Sequence, residues 1–529
     1  MRMARVCLAA GAAAILFCAC GETAAAQSSA AAGAGEKSGQ QKSELQRSEE
    51  PGCAGKSAQE CVAQALDAMG GRERLAAVTS VRLKSAGHVE LMEQSYRQEP
   101  FITAYQHEKT TLDLANGRVL RVTTLTWPEA DANQEDLETT LVVGAAGGVH
   151  RAKEGDGPCG LAEIADARQD LALGPMRLML TAASASDLRY AAPEPLRGTK
   201  HAVVTFTWNT IPVRVLLNEV NHLPDAVETT QEFADFWFYW GDVRQRIYWD
   251  NWKLVKGIEY PTTQVVERNG AQWASNQDLN VELNVSVEDG TFAMNEAMAK
   301  RSAGSPGWKR SFHGDKSTAL APGVDLFLGA WNSTIVKQPD GIVILEAPIS
   351  GVYTQGVIDE AKKRYPGMAI KAVLSTSDSW PHFGGVRAAV ADGLPVYILD
   401  LNRPLLDRAM QAPHTIDPDA LAKSGTKAKW EIVGKKTAVG SGENRVELYP
   451  LRGASTERQY MVYFPQQKLL YASDTLAVNE DGSLYDPQLM YEVAQAVKRE
   501  NLNVETVFAM HQGPMKWADV MALVEKARN

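Results

Sequence analysis

Several absences narrow what this chain can do. No block of Lys and Arg occurs in its 529 residues, and the formal net charge is −10. A nucleic-acid partner or binding to an anionic membrane surface is therefore not indicated. No C-x-x-C pair occurs among its 6 cysteines, so a cysteine zinc cluster is excluded. The apolar stretch VCLAAGAAAILFCAC near the N-terminus is too short to span a bilayer in the usual way. Thr23 to Glu50 contains no aromatic residue; such a stretch cannot bury a core and reads as a flexible tether.

What is present is ordinary for a soluble globular protein, with 45% hydrophobic and 22% charged residues. At roughly 100–200 residues per domain, the length predicts two or three domains. MRMAR supplies two arginines before the apolar stretch, the pattern of a targeting segment over 1–26. Two processing routes fit. Ala19 precedes Cys20 as a lipid-modified cysteine requires, and AAAQ offers cleavage after Ala26. Either route exports the chain, as a periplasmic protein or as an outer-membrane lipoprotein anchored through Cys20. A tether over 27–55 would hold the folded part away from the bilayer. Cys53 and Cys61 are close in sequence, and an oxidising compartment lets them pair. Cys159 is left over and is expected to be buried.

Residues 56–300 read as a β-rich domain. SAQECVAQALDAMGG opens it with a helix, Ser57 and Glu60 having capping-box spacing and Gly70–Gly71 ending it. Runs such as GRVLRVTTLTW, HAVVTFTW and IPVRVLLN then alternate or are rich in Val and Thr. FADFWFYWGDVRQRIYWDNWKL is dense in rings. Two readings stand: the rings fill the core of a curved antiparallel sheet, or they line an apolar groove for a lipid-like ligand. Residues 301–320 read as a linker. From 321 to 529 buried strands alternate with helices (GIVILEA, TQGVIDEAKKRY, AIKAVLS, GGVRAAVADG, LPVYILD), which argues for a layered α/β domain.

The N-terminal arrangement, a helix ending in Gly-Gly followed by a long run of strands, loosely resembles the half-barrel domains of outer-membrane lipoprotein carriers. The last two-fifths of the chain resembles the metallo-β-lactamase superfamily in four ordered segments: GVDLFLGAWNSTIVKQPDGIVILEAP, VLSTSDSWPHFGGVRAAVADGLPVYI, ASTERQYMVYFPQQKLLYASDTL and FAMHQGPMKWAD. The resemblance implies an αββα sandwich preceded by a mostly antiparallel β domain. It also implies a ligand set, aligned on H-x-G-G. Four of the family's ligand positions fall on Ser377, Ser379, Pro381 and Ser455 and are lost. Three are kept, as His382, Asp474 and His511.

Two imidazoles and a carboxylate can hold one zinc ion with water in an open position, and the same donors suit non-haem iron. The implied activity is a cell-envelope hydrolase with a reduced, single-metal site acting on a small-molecule substrate by metal-activated water. Asp378, beside the site, is the candidate proton acceptor. The other reading is a non-catalytic binding protein of the same fold, handling a lipid-like ligand through the N-terminal domain. Neither substrate nor oligomeric state is legible in the sequence.

Overall fold

The computed structural model of the chain describes residues 53, 55–91, 102–126 and 136–528. The signal segment, Cys20 and nearly all of the tether lie outside the described residues.

The helix Ala58–Ala68 begins where its capping chemistry predicts. The Ser57 hydroxyl accepts the Glu60 N–H at 3.2 Å, and the Glu60 carboxylate accepts the Ser57 N–H at 2.6 Å. Gly70 follows at φ +115°, and a Cβ there would stand 2.3 Å from the Gly257 carbonyl oxygen. Only glycine allows that approach. Cys53 and Cys61 form a bonded pair with Cα atoms 5.5 Å apart, tying the incoming chain to this helix. Cys159 is free and buried.

Thirteen antiparallel strands form one open sheet. Its first strand, Ser80–Leu91, lies mid-sheet between Ile102–Asp113 and the last strand, Ala271–Leu283. The two outermost strands, Gly157–Pro158 and Arg189–Leu196, do not pair with each other. Helices Ala58–Ala68 and Leu178–Ser184 cover one face, where Val62, Leu66 and Met179 pack against Val204, Val215, Trp249 and Tyr260.

The aromatic run divides between two places. Its first half, Phe236–Trp240, is a 3₁₀ turn joining strands Pro224–Gln231 and Val243–Val255. Phe233, Trp237, Tyr239 and Trp240 share a buried cluster with Phe327, Tyr353, Trp380 and Phe383 of the C-terminal domain. The rings project beyond their own sheet and dock on the neighbouring domain. Trp249, in the second half, does enter the core under the sheet. The expected linker is also engaged, since Trp308 and Phe312 pack against the interdomain cluster. Rings of that size leave water wherever an apolar surface is available.

The C-terminal domain is four layers deep, and strand periodicity assigns each residue to a layer. A seven-stranded sheet faces a six-stranded sheet. In strand Gly341–Leu345, Ile342 and Ile344 point to an outer layer that includes Val357 and Ile358 of helix Gly351–Arg364. Val343 and Leu345 point inward, against Val462 and Phe464 of the second sheet. In strand Tyr460–Phe464 the alternate residues Met461 and Tyr463 meet Val493 and Val520 of helices Pro487–Arg499 and Trp517–Arg528. The result is an αββα sandwich.

Candidate functional site

Each sheet contributes a parallel pair to the site. Strands Gly341–Leu345 and Ile370–Ser375 pair in the first sheet, and Leu469–Tyr471 and Thr506–Phe508 in the second. Parallel strands end on one edge, so the residues that follow them gather there. Glu346, Thr376, Ser473, Asp474 and His511 all come from these strand ends, and His382 sits on the short helix Trp380–Phe383 just beyond. Glu346 and Ser473 lie at φ +70° and +58°. Such backbone costs about 1–3 kcal/mol per residue and clusters at active sites, ligand clamps and switch regions.

His382, Asp474 and His511 come together at this edge. His511 Nε2 lies 2.9 Å from Asp474 Oδ1, and His382 Nε2 lies 3.5 Å from the same oxygen. The opposite ring nitrogens are also taken. His382 Nδ1 is 3.1 Å from Glu346 Oε1, and His511 Nδ1 is 3.0 Å from the Ala330 carbonyl. Glu346 is held in turn by the Tyr471 hydroxyl at 3.0 Å and by the Thr376 hydroxyl. The backbone N–H of Asp474 donates to Gln459 Oε1 at 3.0 Å.

The centre is a chain of alternating charge. Burial opposes a charged His382 ring, but Glu346 and Asp474 outweigh it and push its pKa up to about 10. Burial likewise opposes ionisation of Asp474, yet His382 and then His511 hold its carboxyl well below the usual carboxylate range. His382 is therefore an imidazolium between two carboxylates at neutral pH.

A metal ion needs donors that surround one point. Here both rings approach one oxygen of the carboxylate between them. Among the described residues no group of three or more His, Cys, Asp or Glu side chains is spaced to hold a metal ion. The expected ligand trio is assembled, with both ring Nε2 atoms drawn to one oxygen of the Asp474 carboxylate.

Ser377 and Ser379 are each 1% exposed, and the Ser379 N–H donates to Ser377 Oγ at 3.0 Å. Pro381 lies within the helix Trp380–Phe383. The Ser455 N–H donates to both carboxylate oxygens of Glu492 at 3.1 Å. Asp378, the candidate proton acceptor, is 4% exposed and buried. The sequence reading missed Glu346, although a signal was there: one acidic residue closes the otherwise apolar run GIVILEAP.

Aromatic rings cover the loop that carries His382. Trp380 lies 4.2 Å from Trp308 and 5.6 Å from Trp331, centroid to centroid, and Trp331 lies 6.2 Å from His511. Tyr239 of the β-rich domain meets Phe383 at 4.5 Å.

Solved metallo-β-lactamases and an alkylsulfatase are similar to part of the chain. Over 40% of its length the chain is similar to DIM-1 metallo-β-lactamase, at 15% identity and a TM-score of 0.33, covering 96% of that chain. The values for a metallo-β-lactamase from Pontibacter korlensis are 16% and 0.31, covering 99% of that chain. For the inverting sec-alkylsulfatase Pisa1 from Pseudomonas sp. they are 15% and 0.30, and the match spans 40% of the sulfatase. No family model and no curated protein matches the chain.

Proposed function

We propose that the chain is a non-catalytic binding protein, in which the metallo-β-lactamase-like domain is a charge-locked scaffold buttressing a β-rich domain that takes the ligand. One observation carries the reading. His382 and His511 both spend Nε2 on Asp474 Oδ1, while Glu346 and the Ala330 carbonyl take their Nδ1 atoms. Three of the four ring nitrogens are thereby engaged, and the fourth, His382 Nε2, stands at ion-pair distance from Asp474. Serine at 377, 379 and 455 supports the same reading, as does the aromatic cover over Trp380. The proposal includes export and a lipid anchor at Cys20, which would place a carrier of a small or lipid-like molecule at the envelope.

The alternative, a single-metal hydrolase, has one observation in its favour. His382 Nε2 is buried without a hydrogen-bond partner. Its 3.5 Å approach to Asp474 is an ion-pair distance, at the outer limit for a hydrogen bond.

The deciding experiment measures metal content before and after dialysis against zinc, with turnover of chromogenic lactam, ester, phosphoester and sulfate-ester substrates. The binding reading expects metal far below stoichiometric and no hydrolysis above an Asp474→Ala control. Near-stoichiometric zinc with turnover abolished by His511→Ala would establish the hydrolase instead.

A further inference from the structure

A cavity of about 380 Å³ lies in the β-rich domain, remote in sequence from the His–Asp centre. It opens between the sheet and helix Leu161–Leu173 and falls in the size range of small-molecule sites. Much of its wall is apolar, including Leu83, Leu125, Ile247 and Val266. A neutral lipid would need nothing more, but the wall also carries acid.

Among the described residues lining it, the carboxylates of Glu108, Asp166, Asp170 and Asp278 meet a single cationic side chain, Arg121. Glu163, a fifth lining acid, is occupied by His150 at 3.0 Å. Arg121 is spent on Asp170, with Glu108 3.9 Å away. Among the described residues, the carboxylate of Asp278 accepts from the Tyr260 hydroxyl alone, at 2.8 Å. No hydrogen bond to Asp166 forms among the described residues; Arg268, the cation nearest to balancing it, is paired with Asp235 at 2.9 Å.

Helix geometry makes this placement costly. Asp166 and Asp170 are four residues apart, so they share the helix face turned to the cavity, where like charges repel. Burial pushes Asp166 up to about 7 and Asp278 up to about 6, as expected for carboxyls short of a counter-charge. Trp249 also lines the cavity, where its indole ring adds to the apolar wall.

We propose that this cavity binds an organic cation with an apolar body, its charge set against Asp166 and Asp278 and its chain against the leucine-rich wall. A metal ion is the poorer occupant, because no three of these acids are spaced to hold one. The inference rests on the proposed binding role of the β-rich domain and is independent of the state of the Asp474 centre.

The test uses the full chain and three single-tailed probes below their micelle concentrations: decyltrimethylammonium, decyl sulfate and decanol. Isothermal titration calorimetry should show saturable binding of the cation, with the anion and the alcohol at least about tenfold weaker. Asp166→Asn with Asp278→Asn should weaken the cation by about tenfold or more and leave decanol unchanged. Quenching of the parent's fluorescence by the cation, reduced in Trp249→Phe, checks that the probe sits in this cavity, which Trp249 lines. Equal binding of all three probes, or a double variant that binds the cation as the parent does while retaining its circular dichroism, would overturn the proposal. Neither result bears on metal content or hydrolysis, so this inference and the scaffold reading fail separately.

Discussion

His511 Nε2 stands 2.9 Å from Asp474 Oδ1, on the oxygen that His382 approaches from within the domain. One carboxylate thus joins a fully buried ring to a partly exposed one. Asp474→Ala would leave the His382 cation in the interior with Glu346 as its one remaining counter-charge. Breaking a buried pair in this way costs about 3–5 kcal/mol. His511→Ala removes the partly exposed member and should cost about 1 kcal/mol or less. Urea denaturation of the two variants should rank them in that order.

Tyr239→Ala should destabilise the chain by about 3–5 kcal/mol, the usual cost of emptying a buried aromatic site. The side chain belongs to one domain and fills the core of the other, where it meets Phe383 at 4.5 Å. The same variant should make the segment around Trp308 more susceptible to limited proteolysis, because that segment packs on the same cluster. A domain pair joined only by a flexible linker would show neither effect.

The pH dependence of Asp166 has a definite sign. Burial raises its folded-state pKa to about 7, well above an unfolded value of about 3.9. Between these values the folded state holds a proton that the unfolded state has lost, so this group's contribution to stability falls as pH rises from about 4 to about 7. Asp166→Asn carries no such penalty. The melting temperature of the variant minus that of the parent should be near zero at low pH, grow through this window and level off above it.

Cys159 should be inert to iodoacetamide at pH 8 in the native protein and react on unfolding. Its thiol is buried, and burial, reinforced by Glu163, pushes its pKa up to about 12. Only the thiolate is an effective nucleophile.

The sequence by itself determined the layers. Alternation in QYMVYF fixes which residues face the other sheet and which face the helices, and this follows from backbone geometry alone. Ser57 with Glu60, and Asp486 with Pro487, mark the starts of their helices because caps are local chemistry. The meeting of His382, Asp474 and His511 was legible too, since spacing around Gly384–Gly385 locates the loop. What only the tertiary structure decided is what those residues do with one another. Glu346 lies 36 residues before His382 and reaches it because two parallel strands end on the same edge. That contact makes His382 a cation and turns a plausible ligand set into an ion-paired chain. The aromatic run likewise had two readings while only its own sheet was in view. Its rings went to the neighbouring domain because the apolar surface that could cover them, around Phe383 and Trp380, is built by residues far along the chain.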